Sequence, residues 1–98
     1  MPREAKNSAP AARESAQVLA LQGLAFLAED TSRMLGFLKL TGFEPGDVRA
    51  QAGTPELSLA VLEHLAQDES LLLVFAASCA VAPASIGPAI SLLRGQDA

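Results

Sequence analysis

Shifted by 38 positions, this chain matches itself. The stretch Leu24–Gly42, LAFLAEDTSRMLGFLKLTG, falls on Leu62–Ala80, LEHLAQDESLLLVFAASCA. Leu24/Leu62, Leu27/Leu65, Ala28/Ala66, Asp30/Asp68, Ser32/Ser70, Leu35/Leu73 and Phe37/Phe75 coincide without a gap. Over residues 17–52 and 55–90 the same register makes ten of 36 positions identical, adding Leu19/Leu57, Leu21/Leu59 and Pro45/Pro83. Leu and Ala matches are inflated in any Leu- and Ala-rich chain, but paired Asp, Phe and Pro are harder to dismiss. A period of this size belongs to helical repeats, in which each unit buries its apolar face on its neighbour. Two units fall short of the three that open solenoids need. The expectation is therefore an all-α fold: a compact bundle of about five to six short helices, arranged as two pseudo-repeated units of helix, Asp cap, helix, Pro turn and short helix.

Composition points the same way. Half of the 98 residues are apolar, yet there are four Phe and no Trp or Tyr, so the core has to be built from Leu, Ala and Val. Ala and Leu lead the helix scale, whereas aromatic and β-branched residues lead the strand scale. One domain is expected at residues 11–94, after a polar, disordered arm at 1–10 that carries Pro2 and Pro10, and before a tail at 95–98.

The helices can be placed in order. The first runs from Ala11–Ala12 to Ala28 or Glu29, with an apolar stripe through Val18, Leu21, Ala25 and Ala28 widened by Leu24 and Leu27. Gly23 weakens it by about 1 kcal/mol relative to Ala, which matters if another helix packs close there. Asp30 is placed to cap a second helix, Thr31–Thr41, which offers Met34, Leu35, Phe37, Leu38 and Leu40 to the core before Gly42 ends it. A short helix, Pro45–Ala52, closes the first unit. Thr54 then caps Pro55–Gln67, whose apolar positions are Leu57, Val61, Leu62 and Leu65. Asp68 repeats the cap for Glu69–Ala80. That helix is apolar nearly all round, the pattern of a buried centre. A last helix covers Ala84–Leu93, where Pro88 either kinks the helix or marks its start with Ser85 as cap.

Charge argues against several functions. Residues 15–93 carry Arg33, Lys39 and Arg49 against eight acids, a net −5, while residues 1–14 carry a net +1. An acidic body repels phosphate backbones, which are held by clustered Lys and Arg. Helices two and three imitate a helix-turn-helix, but the reading helix would offer Arg49 alone. No nucleic acid is expected. Ser70–Leu93 runs 24 residues without a charge, but Pro83, Gly87 and Pro88 divide it into two buried helices, and no membrane insertion is expected. Cys79 has no partner for an internal bridge, and the N-terminus lacks the apolar run of a secretion signal. The expected compartment is the cytoplasm.

Residues that might carry chemistry have simpler explanations. His64, the only histidine, falls on Phe26 under the shift, which suits a packing position better than a general base. Cys79 lies near a helix C-terminus among Ala, Ser and Val, without the cations or helix N-terminus that make a thiol reactive. Glu29-Asp30 and Asp68-Glu69 sit where a cap and a first-turn acid belong. No phosphate loop, dinucleotide fingerprint or zinc motif is present. No enzyme, no cofactor and no metal is expected.

The segments LAFLAED, FLKLTGFEP and AVLEHLAQDESLLLVFA, in that order and spacing, resemble a small bacterial family, the domain of unknown function 3572, found chiefly in alphaproteobacteria. The likeness covers residues 17–80, and the end of the chain after Pro83 is less typical. The resemblance implies no activity and no catalytic residue. Its association with cell-cycle response regulators points towards signalling or regulation.

The functional expectation is a protein–protein interaction or regulatory adaptor module, binding another protein or a second copy of itself. An apolar patch would be the anchor, with acids at its rim. The candidate anchors are Leu40, Phe43, Val81 and Ile86, which lie in the repeated turns. One alternative is a small apolar-ligand carrier with a pocket around Met34, Phe37, Leu72 and Phe75. Another is a nucleic-acid-binding regulator using Arg3, Lys6, Arg13 and Arg49.

Overall fold

Four of the helices among the described residues start at a residue that can be named: Asp30, Glu44, Thr54 and Asp68. A computed structural model describes residues 8–97 as α1 (Ser8–Ala28), α2 (Thr31–Thr41), α3 (Pro45–Gln51), α4 (Pro55–Ala66), α5 (Glu69–Cys79), a 3-10 turn (Pro83–Ser85) and α6 (Ile86–Asp97), with no strand among the described residues. Asp30 and Asp68 accept from the amides of Arg33 and Leu71, each at 3.1 Å. Thr54 Oγ1 accepts from the Leu57 amide at 3.3 Å. These bonds satisfy donors that the first turn of a helix leaves open. Gly42 (φ 83°) ends α2, and Ala80 (φ 55°) ends α5 in the same left-handed conformation. Thus α2 and α5 are both eleven residues long and begin 38 positions apart.

The ends of the chain differ from expectation. Residues 1–7 of the expected arm lie outside the described residues, and α1 already begins at Ser8. Pro10 and Pro88 each occupy the third position of their helix, where the missing amide would have had no intrahelical partner, so neither breaks it. Ser85 does not cap α6 with its side chain: its hydroxyl donates to the Ala82 carbonyl at 2.6 Å. α6 runs past Leu93 to Asp97.

The centre of the bundle is α4, packed against α1 and α6. It buries Leu57, Val61, Leu62 and Leu65, while α6 contributes Ile86, Ala89, Ile90 and Leu93. The buried stripe of α1 is Ala16, Leu19, Ala20, Gly23, Phe26 and Leu27, not the expected Val18, Leu21, Ala25 and Ala28, which are exposed. Both stripes have helical spacing. What separates them is size: Ala16, Ala20 and Gly23 let α4 come close. A Cβ on Gly23 would lie 2.9 Å from Val61 Cγ1 and 3.0 Å from Leu65 Cδ1, tighter than ordinary packing allows.

The most apolar helix, α5, is not the buried centre. It buries Phe75 and Ala76 and leaves Leu73 50% exposed, with Val74 similar. A chain this small can surround only one of its helices, and the longer stripe of α4 meets the small-residue face of α1. In α2, likewise, Phe37 is buried, Met34 and Leu38 are partly covered, and Leu35 and Leu40 point outwards rather than into the core.

Two aromatic contacts tie the halves together. Phe26 meets Phe75 edge-on with centroids 5.4 Å apart, and His64 meets Phe37 edge-on at 5.3 Å. Phe26 and His64 are 38 positions apart, as are Phe37 and Phe75, so under the shift the two contacts exchange partners. Gly23 and Val61, which touch, are related by the same shift. Among the described residues no single helix is long and apolar enough to cross a membrane, and α5 and α6 are bent by 109° at the turn between them.

Candidate functional site

The capping and turn residues that end α2 also shape a groove on the surface. Thr41 Oγ1 donates to the Phe37 carbonyl at 2.7 Å and receives the Phe43 amide at 3.4 Å. This turns the chain so that the Phe43 ring stacks on Phe37 at 6.2 Å with only 10° between the ring planes. Leu40, one turn before, is left 75% exposed. Together with Leu59 and Ala60 of α4 they line a groove of about 420 Å³, edged by Glu56, Glu63 and His64. Glu63 is tied to Arg94 of α6 at 2.5 Å, whereas Glu56 has no basic partner among the described residues. Partial burial pushes the His64 pKa below its ordinary 6.5, and the charge of Asp68 opposes that shift.

Of the four expected anchors, the structure brings Leu40 and Phe43 into this groove and leaves the other two elsewhere. Ile86 is a correction: it is 2% exposed and belongs to the core. The 3-10 turn before it swings the start of α6 onto the bundle, and β-branched aliphatic side chains in a first turn are then packed rather than presented. Val81 is partly buried against the same core.

The apolar-ligand pocket expected around Met34, Phe37, Leu72 and Phe75 is not formed. Phe37 and Phe75 are fully buried, each filled in by the ring it meets edge-on. Met34 instead lines a second groove, of about 510 Å³, between the end of α1, α2 and α3. Leu24, Leu38 and Val48 are among its walls, Leu35 is at its lip, and Arg49 is the charged residue beside it. In the sequence, Val48 and Ala52 are smaller than Ile86 and Ile90, 38 positions on.

The remaining candidates have structural work. Arg33 lies over the Phe26 ring, 4.1 Å from its centroid, and donates to the Phe26 carbonyl at 3.5 Å, a cation–π clamp between α2 and α1. Cys79 is partly buried in the last turn of α5, packed against the core. Asp30 and Asp68 spend one carboxylate oxygen each on a cap. No group of three or more His, Cys, Asp or Glu able to hold a metal ion is found among the described residues.

A family model described as a protein of unknown function (DUF3572) matches residues 13–96. No curated protein and no solved structure matches the chain.

Proposed function

The chain belongs to the DUF3572 family of proteins of unknown function, which assigns no reaction, and we propose that it is a small helical adaptor that binds another protein through the Leu40–Phe43 groove. The observation that supports this is the company Leu40 keeps. A single exposed leucine is ordinary, but this one stands beside the half-buried Phe43 and Leu59, with Glu56 and Glu63 at the edge. An apolar floor with an acidic rim suits an amphipathic helix that carries basic residues beside its apolar anchor. The net −5 of residues 15–93 favours the same basic partner at longer range. In this proposal the protein acts in the cytoplasm as a regulator, without catalysis of its own.

The test is a photo-crosslinking amino acid placed at Leu40 in cells, with Ser70, exposed on α5, as the control position. A defined partner captured at Leu40 and not at Ser70 is expected. Leu40→Asp and Glu56→Lys should each lower the affinity of that purified partner by about tenfold or more. The same products at both positions, or none at Leu40, would contradict the proposal.

A further inference from the structure

The second groove shares no lining residue with the first, and four of its residues are less buried than those 38 positions on. Leu24, Leu38 and Val48 are partly covered, and Ala52 is exposed. Their counterparts 38 positions on are Leu62, Ala76, Ile86 and Ile90, and all four are buried. Two of these exchanges are enlargements, Val48 to Ile86 and Ala52 to Ile90, and one, Leu38 to Ala76, is a reduction. Ile86 and Ile90 are buried because α6 packs on α1 and α4, whereas α3 packs chiefly on α4 and leaves the α1–α2–α3 groove open. Its walls are largely aliphatic carbon.

Its rim adds a sign. Arg49, in the last turn of α3, is exposed and lies against the groove. It has no acidic partner among the described residues, whereas Arg33 is held over Phe26 and Arg94 is paired with Glu63. A guanidinium beside an apolar trough, on a body that is otherwise acidic, selects a carboxylate, which it can meet with two parallel hydrogen bonds. The volume, about 510 Å³, lies in the range of small-ligand sites, about 300–1,000 Å³, and the mix of many apolar walls with few polar groups is theirs too.

We propose that the α1–α2–α3 groove binds a free medium-chain fatty acid, its alkyl chain on Leu24, Met34, Leu38 and Val48 and its carboxylate on Arg49. The free acid is favoured over a bilayer because anionic membranes repel a chain with this net charge.

The experiment is a titration of the whole protein with decanoate, kept below the concentration at which it forms micelles and followed by backbone and methyl NMR. Saturable shifts at Leu24, Met34, Leu38, Val48 and Arg49 are expected. Decylamine, with the same chain and the opposite charge, and the Arg49→Glu variant should each bind about tenfold more weakly or worse. The double variant Val48→Ile, Ala52→Ile, which borrows the side chains of the second half, should close the groove and lose binding while its melting temperature stays at or above the parent's. An absence of saturable shifts, shifts mapping to other residues, or decylamine binding as tightly as decanoate would overturn the proposal. So would a folded isoleucine variant that still binds, or binding to anionic vesicles but not to the free acid. The decylamine comparison uses the unaltered chain and Arg49 is exposed, so neither depends on a core variant folding.

Discussion

His64 is the only histidine of the chain, and it has a packing role. It sits on α4 with its ring edge against Phe37, and partial burial holds its pKa below the usual 6.5 despite the pull of Asp68. The sign of the consequence follows from linkage. The unfolded chain takes up the proton first as the pH falls, so the stability due to a neutral His64 is complete above 6.5 and is lost as the pH drops from there to the folded-state value. Replacing it with the residue of the other half, His64→Phe, should flatten the dependence of urea-unfolding stability between about pH 7.5 and 5.5, where carboxylates contribute little. A parent protein that grows more stable over that fall in pH would show the opposite linkage. The packing role of His64 was legible in the sequence because Phe26 stands at its counterpart position. The burial of Ile86 was not, since nothing local distinguishes an aliphatic residue in a first turn that faces the bundle from one that faces water.

At the scale of the helix, what is local was legible and what is tertiary was not. Asp30, Thr54, Asp68 and Gly42 mark ends through bonds made within a few residues, and the observed boundaries follow them. The buried faces of α1 and α5 escaped because both helices are apolar on more than one side, so periodicity offers two stripes and the neighbours decide between them. In α1 the decision rests on Gly23, where the closeness of Val61 and Leu65 leaves no room for a methyl group. An alanine gains about 1 kcal/mol of helix propensity there, but overpacking a well-filled core costs about 1–3 kcal/mol. Gly23→Ala should therefore be destabilised by up to about 2 kcal/mol in urea unfolding, and Gly23→Leu should be worse. A Gly23→Ala variant more stable than the parent would mean that α1 and α4 do not approach as described.

For the molecule as a whole, the grooves are what remains after six short helices have packed, and so no window of sequence announces them. The central place of α4 leaves Leu35 and Leu40 on α2, and Leu73 and Val74 on α5, at the surface. The all-helical fold was legible from pattern and turn chemistry. The apolar groove beside Arg49 exists only once α1, α2 and α3 are packed together. An apolar residue left at the surface is open to two uses, a different molecule or a second copy of the same chain, and self-association competes directly with the adaptor function proposed for the Leu40–Phe43 groove. Light scattering on a sizing column, across a concentration series of the purified 10.1 kDa chain and its Leu40→Asp variant, separates them. A monomer at every concentration, with the same mass for both proteins, is the predicted result. A concentration-dependent dimer that Leu40→Asp dissolves would show the groove already occupied by a second copy, and would contradict it.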